Sequence, residues 1–443
     1  MRRFDVLVIG TGVSGQTAAA DCAAAGLDTA VVDRLPYGGT CAQRGCEPKK
    51  VLLGSIEAVD AVRRLAGRGP VGEVRIDWPE LQAFRRTYTD PVPARTEAWM
   101  ADAGITPLHG TARFLTPERL AIDGEEVDAD AVVVAAGARP APLGIEGEEL
   151  VATSERFLGL PELPARIVFL GGGYISFELA HIAAAAGAAV TIAHRGSEPL
   201  KGFDPGLVAL LVDGYRSGGI DVMLDAPVTA VRRRDGALVV EAGGRELPCD
   251  LAVHGAGRVP DLATLDLTAG GVAFGRRGVE VGEDLRSTTN PRVFACGDAA
   301  SRGLPLTPVG IRQGAAIART IAGAPAPAWD DAVTPSVVFS APPLASVGLG
   351  EEAAFAAGLD VEVLSHDTTG WFTSTRLGVP RSGAKVVLER ESRRILGAHL
   401  LGDAAEEVVN VFAVAIAAGA TADLLKALPL AYPTSGSDLV YLL

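Results

Sequence analysis

Phe4-Asp5-Val6-Leu7-Val8-Ile9-Gly10-Thr11-Gly12-Val13-Ser14-Gly15 is the stretch on which the fold is read. Its first six residues form a short apolar run with strand character. Three glycines follow at G-x-G-x-x-G spacing, and an Ala-rich helical pattern then runs to Gly26. A second strand, Thr29-Ala30-Val31-Val32, closes on Asp33. The same order returns at Arg166–Leu170, followed by Gly171-Gly172-Gly173-Tyr174-Ile175-Ser176. Another Ala-rich helix ends near Gly187, and Ala189–Ala193 is the next strand. Two strand–turn–helix–strand units therefore lie roughly 160 residues apart. In such a unit the first glycine permits the tight turn and the second admits a pyrophosphate. The helix N-terminus offers free N–H groups and a positive dipole end to the phosphates. One such turn is weak evidence, because any βα turn can need glycine for packing. Two in the same context predict two dinucleotide sites in an α/β chain.

Working outward, Ala131–Gly137 and Arg292–Asp298 read as further buried strands running to the rim of a parallel sheet, where ligands bind. Gly323-Ala324-Pro325-Ala326-Pro327 reads as a linker. Beyond it lie alternating strands such as Lys385–Glu389 and a helix over 404–418, a third module of α+β character. The 443 residues allow several domains. With 48% hydrophobic but only 5% aromatic residues, the composition suits close-packed α/β layers. The net charge of −14 argues against a nucleic-acid partner, which needs a basic stripe. No apolar run is long enough for a membrane helix. Structure begins at once after Met1-Arg2-Arg3, so a cytoplasmic chain without a signal peptide is expected.

Five cysteines are too few and too scattered for a secreted disulfide framework. Two of them share the segment Gly38-Gly39-Thr40-Cys41-Ala42-Gln43-Arg44-Gly45-Cys46-Glu47-Pro48-Lys49-Lys50. Pro48 suits the first turn of a helix, which puts Cys46 at a helix N-terminus, where the dipole lowers a thiol pKa. Arg44 and Lys49 add positive charge, and a thiolate is the nucleophile of disulfide exchange. The other readings are two inert thiols or half a zinc site. Zinc would need a second Cys or Cys/His pair, and none of ligand spacing follows. The six histidines show no metal-ligand spacing either, so no metal is assigned. Cys22 and Cys296 read as buried, and Cys249 has no partner motif.

With these motifs in place, the whole chain resembles the class I pyridine nucleotide–disulfide oxidoreductases of the glutathione reductase, dihydrolipoamide dehydrogenase and mercuric reductase type. The resemblance implies two Rossmann-like dinucleotide-binding domains, for FAD and NAD(P)H, plus a C-terminal α+β dimerisation domain. The FAD domain is expected at 1–150 and 262–330, the NAD(P)H domain at 151–261 and the interface domain at 334–443. It implies FAD contacts at Gly10, Gly12, Gly15, Asp33, Thr40, Ala112, Ala136, Gly137, Asp298 and Thr307. For the nicotinamide cofactor it implies Gly171, Gly173, Tyr174, Ile175, Arg195, Lys201 and Gly257, with Tyr174 as a lid over the flavin. Cys41 becomes the thiol that attacks substrate, Cys46 the thiol nearer the flavin, and Lys49 with Glu178 a pair beside it. The activity implied is FAD-dependent reduction of a small-molecule or small-protein disulfide through Cys41 and Cys46, in a homodimer.

Two departures matter. Where an NAD-dependent chain places an acidic residue at the end of the second strand, this one reads His194-Arg195-Gly196-Ser197, with Lys201 beyond. Cations without a carboxylate favour NADPH, and Ser176 in the third glycine place agrees. The family's C-terminal His–Glu pair is also missing. Tyr432 stands at the His position, Ser437 at the Glu position, and Asp438 one residue later. A phenol with a reference pKa near 10 donates a proton but is a poor base at neutral pH. Mercuric reductases carry tyrosine here but add a C-terminal cysteine pair, which this chain lacks. The alternatives are NADPH-dependent reduction of quinones, metal ions or other non-disulfide acceptors, or a slow redox-sensing flavoprotein.

Overall fold

Each Gly-rich turn sits where an apolar strand gives way to a small-residue helix, and two compact units are built around these junctions. The structure is a computed structural model and describes residues 2–325 and 333–443. Ala326 and Pro327 of the linker lie outside the described residues. One unit comprises Met1–Val51, Ala83–Pro142 and Gly257–Asp331. The other comprises Leu52–Gln82, Leu143–Ala256 and Ala332–Leu443.

In the first unit the strand Arg2–Ile9 lies between Thr29–Asp33 and Glu125–Val134, parallel to both. Thr106–His109 extends the sheet beyond Thr29–Asp33, and Val293–Ala295 pairs in parallel with Glu125–Val134. Arg119–Ile122 and Ala112–Phe114 complete it as antiparallel strands. The central strand is buried on both faces from Val6 to Ile9, the near-continuous apolar pattern of a covered parallel sheet. The helices Val13–Ala24 and Thr307–Ile321 pack closely because the second presents glycine to the first. A Cβ at Gly314 would come within 2.5 Å of Ser14 O and 3.1 Å of Ala18 N.

In the second unit Asp221–Met223, Ala189–Ala193, Arg166–Leu170 and Leu251–His254 form a parallel sheet in that order. An antiparallel set of Val228–Arg234, Ala237–Ala242 and Arg245–Cys249 accompanies it. The C-terminal part is an antiparallel five-stranded sheet in the order Ser336–Val338, Leu344–Gly348, Ile395–Leu401, Gly383–Glu389, Val361–Asp367. The helix Ala405–Ala417 buries Val409 and Phe412 in the apolar core of this part.

The compact units do not follow the boundaries expected from the sequence, and long-range contacts explain why. Residues 52–82 join the second unit: Leu52, Leu53 and Ile56 share a core with Phe157, Phe169 and Phe177. Trp78 Nε1 donates to Leu160 O at 2.9 Å, and Arg63 donates to Ala185 O at 2.8 Å. Residues 143–150 join it as well, with Val231 N donating to Glu146 O at 2.8 Å. Conversely, Arg258–Pro260 pairs with Ala138–Pro140 and so belongs to the first unit. The modules expected at 151–261 and 334–443 cluster together, and within that unit Lys385 Nζ meets the Asp204 carboxylate at 2.7 Å.

Two glycines give opposite expectations. Gly54 lies mid-helix in Cys46–Arg64 with no atom within 4 Å of an added Cβ, so Gly54→Ala should stabilise by about 0.5–1 kcal/mol. Gly314→Ala should destabilise by about 1–3 kcal/mol through overpacking. Urea denaturation midpoints of the two variants check both signs.

Candidate functional site

Cys41 belongs to the short helix Gly39–Arg44, and Cys46 opens the long helix Cys46–Arg64. Gly45 separates them at φ −141° and ψ −111°, and a Cβ there would come within 3.0 Å of Thr40 O. The break folds the two helices back so that the sulfurs meet. Cys41 is half-buried and Cys46 exposed. Thr307, the first residue of the helix Thr307–Ile321, places its hydroxyl 3.5 Å from Cys41 Sγ. The Cys41 thiol is pulled down to about 6. The largest cause is the hydrogen bond from the Cys46 thiol; Thr307 and the Cys46 N–H add to it, against burial and Glu47. The sequence favours Cys46 as the acidified thiol, from its place at a helix N-terminus. In the structure donors also converge on the Cys41 sulfur, from the neighbouring Cys46 thiol and from Thr307 in a distant segment.

The redox segment rests directly on the first Gly-rich turn. Gly39, at φ +70°, lies so close to Gly12 that a Cβ would overlap the Gly12 Cα. Thr11 ties the pieces together. Its N–H and hydroxyl donate to Asp33 Oδ2 at 2.8 and 2.6 Å, and its Oγ1 accepts from Gly38 N at 3.1 Å. Thr11 occupies a variable place in the motif, so its identity carries no signal in the sequence. Gln43 Nε2 adds a bond to Tyr37 O at 2.8 Å.

The residues present fit an FAD. Gly10, at φ +111°, has no room for a Cβ beside the Ala135 carbonyl, whereas an added Cβ at Gly12 meets nothing within 4 Å, which leaves space for a pyrophosphate. Gly15 packs against Gly10 O. Asp33 Oδ1 also accepts from Leu35 N at 2.9 Å. A carboxylate offers about four acceptor positions, so one remains for a ribose hydroxyl. Asp298 accepts no hydrogen bond among the described residues. Burial raises its pKa, with Arg258 opposing. Such a carboxylate suits the hydroxyls of a ribityl chain. Ala112 is buried at a strand start, and Gly137 faces open space.

The second Gly-rich turn lies in the other unit. Gly171, at φ +107°, presses on Ala256, and Gly173 lies near Gly255 O. Tyr174 is half-exposed at the first turn of the helix Tyr174–Ala185, with Ile175 beside it. Ser176 is fully buried, and its hydroxyl finds no partner among the described residues. Arg195 and Lys201 are exposed on the loop after Ala189–Ala193. Gly257 falls in the first unit, where its carbonyl accepts from Ala141 N at 3.1 Å. Glu178 is buried and its Oε1 accepts from Phe339 N at 2.9 Å; Lys49 is buried in the first unit.

At the C-terminus Tyr432 is 78% exposed. Ser437 is not a substitute carboxylate in any chemical sense. Its hydroxyl donates to Thr434 O and accepts from Thr434 N, part of a capping box that shapes the last turn. Asp438 accepts from the Thr373 hydroxyl. Cys22 and Cys296 are fully buried, and burial pushes both thiols up to about 12. Cys249 is likewise buried and raised to about 11. Among the described residues no group of three His, Cys, Asp or Glu is arranged to hold a metal, and no helix is long and apolar enough to cross a membrane.

Comparison with known proteins agrees with this arrangement. Residues 4–314 match the family model described as pyridine nucleotide-disulphide oxidoreductase, and residues 334–442 match its dimerisation domain. The chain is similar to glutathione reductase of Burkholderia cepacia, 33% identical over 441 residues, covering 99% of this chain and 98% of the relative. It is 30% identical over 453 residues to the chloroplastic/mitochondrial glutathione reductase of Pisum sativum, covering 99% and 82%. Among solved structures it resembles a Cu(II) complex of the HOCl-induced flavoprotein disulfide reductase RclA from Escherichia coli. That match has a TM-score of 0.89 and 25% identity, and covers 100% of this chain and 99% of the other. FAD and NADPH are the cofactors of the glutathione-reductase type. A strand–glycine–helix turn in each unit, a cysteine pair seated on the first of them and two matching family models lead to one conclusion: the chain belongs to the pyridine nucleotide–disulphide oxidoreductases and is an FAD-dependent enzyme of that family.

Proposed function

We propose that the protein is an NADPH-preferring reductase of a small disulfide, working as a homodimer, with Tyr432 in place of the usual imidazole. The observation that carries this reading is the Cys41 sulfur, beside the Cys46 thiol and 3.5 Å from the Thr307 hydroxyl, donors that pull its pKa down. FAD, when bound, relays two electrons between the nicotinamide and the cysteine pair. Gly10, Gly12, Gly15, Thr40, Asp33, Ala112, Ala136, Gly137, Asp298 and Thr307 would hold it. The dithiol chemistry follows from the thiolate. Cys41 attacks one sulfur of the substrate disulfide, forming a mixed disulfide and expelling one thiolate, which takes up a proton. Cys46 then attacks the Cys41 sulfur, releases the second thiol and closes the Cys41–Cys46 disulfide. Two electrons from NADPH restore the pair, so NADPH, one disulfide and one proton yield NADP+ and two thiols.

In this scheme the missing His–Glu pair costs less than in a chain that relies on it. An imidazolium would stabilise the attacking thiolate, but Thr307 and Cys46 already supply donors to Cys41. What remains is proton donation to the leaving thiolate, which a phenol performs. Ser437, committed to its capping box, orients nothing toward Tyr432 in the way a carboxylate would. Glutathione disulfide is the first substrate to try, since the two curated relatives bear that activity in their names. NADPH preference is supported by Arg195 and Lys201 and by the lack of a carboxylate at His194. A second reading, reduction of a metal ion, is favoured by the exposed Tyr432 and by the Cu(II) in the related structure. In that reading the ion is a substrate rather than a resident metal, and its electrons do not pass through the cysteine pair.

Turnover of glutathione disulfide with NADPH separates the two. Cys41→Ser should abolish it, by at least about 10³-fold, since the nucleophile is lost. Retention of disulfide turnover in Cys41→Ser would overturn the reading, and Cys41-independent reduction of Cu(II) would favour the second. Tyr432→Phe should lower disulfide turnover by about 10²-fold if the phenol is the acid. The ionisation itself is open to alkylation of the reduced protein by iodoacetamide across pH. A lowered thiol pKa means thiolate is present above it and lost as pH falls through it. The rate at Cys41 should therefore rise through pH about 6 and not near 9. Thr307→Val should move that inflection upward, and Thr307→Ser should restore it.

A further inference from the structure

An acidic residue at the end of the second strand of a dinucleotide unit reads the ribose hydroxyls of an unphosphorylated cofactor. His194 occupies that place, directly after Ala189–Ala193. Its N–H donates to Met223 O at 2.9 Å and its carbonyl accepts from Ala226 N at 2.8 Å, so the backbone continues the sheet. The ring turns inward. Nδ1 accepts the Gly172 N–H at 3.1 Å, and Nε2 lies 3.0 Å from Glu198 O. A carbonyl oxygen only accepts, so Nε2 carries the proton, Nδ1 the lone pair, and the ring is neutral. Burial holds it below the ordinary imidazole range, aided by Arg195 and Lys201 and opposed by the Glu198 carbonyl and Asp225.

Both ring nitrogens are thus used within the chain, and neither is left to read a ribose hydroxyl. The same bonds close the loop onto the Gly-rich turn. Leu200 N donates to Gly172 O at 2.8 Å, so the loop takes both backbone groups of Gly172. Asp225 N donates to Gly196 O at 2.9 Å. The fit leaves no slack, since a Cβ at Gly172 would lie 2.6–2.8 Å from the His194 ring and Pro199.

We propose that His194 is a positioning residue for cofactor selection: it clips the 194–201 loop to Gly172 and thereby fixes Arg195 and Lys201 as a pair of cations for a 2′-phosphate. The role rests on the NADPH reading and acts through those two side chains. It also accounts for a histidine where a carboxylate would repel the phosphate.

The test is calorimetric titration of the FAD-loaded protein with NADP+ and, separately, NAD+. Wild type is compared with His194→Ala, with His194→Phe, which keeps a ring over Gly172 without its nitrogens, and with His194→Asn, which keeps an acceptor. The flavin spectrum reports folding, and His194→Phe carries the test if His194→Ala does not fold. Losing two net hydrogen bonds should weaken NADP+ about ten-fold in His194→Ala and His194→Phe. NAD+ should stay within about two-fold, and His194→Asn should recover part of the NADP+ affinity. Equal weakening of both nucleotides, or of neither, overturns the role of His194 while a wild-type preference for NADP+ still upholds the NADPH reading. A wild type that does not prefer NADP+ overturns that reading, and the proposal with it.

Discussion

The close approach of Gly39 to Gly12 is the constraint on which the redox site depends. With no side chain on either residue, the segment bearing Cys41 lies against the first Gly-rich turn, and Thr11 locks the contact by bonding both Asp33 and Gly38. The turn itself is held by Gly10 against the Ala135 carbonyl. The helix that leaves it carries Ser14 and Ala18, against which Gly314 packs. That packing sets the helix Thr307–Ile321, whose first residue reaches Cys41. A series of close contacts thus connects the first Gly-rich turn to the Cys41 thiol.

The acidity of Cys41 therefore arises inside the chain. Two donors, one on the neighbouring helix and one on a helix 266 residues away, converge on its sulfur, and in the proposed reading they stand in for an imidazolium. This makes the C-terminal replacement intelligible. In that reading Tyr432 need not stabilise a thiolate, while Ser437 caps the turn built by Thr434. The remaining cysteines, buried and raised, stay out of the exchange chemistry.

Much of the architecture was legible because glycine spacing, strand hydrophobicity and small-residue helices are local signals. Arg166–Leu170 and Ala189–Ala193 are strands in the structure with the bounds read from the sequence. What escaped depends on distant partners. Residues 52–82 join the second unit through contacts to Phe157 and Leu160, which no local pattern reveals. The helix N-terminus at Cys46 can be read from Pro48, whereas the Thr307 hydroxyl near Cys41 comes from a residue far along the chain and cannot. In the sequence His194 shows only that a carboxylate is missing. Its bonds to Gly172 and Glu198 require the folded loop.

The central claim is that the cysteine pair accepts the electrons, and anaerobic titration of the purified protein with NADPH, followed by absorbance, tests it most directly. The account predicts a long-wavelength thiolate–flavin charge-transfer band in wild type that is lost in Cys46→Ser. Bleaching of the flavin in wild type with no such band would show that the electrons bypass Cys41 and Cys46, and would contradict the account.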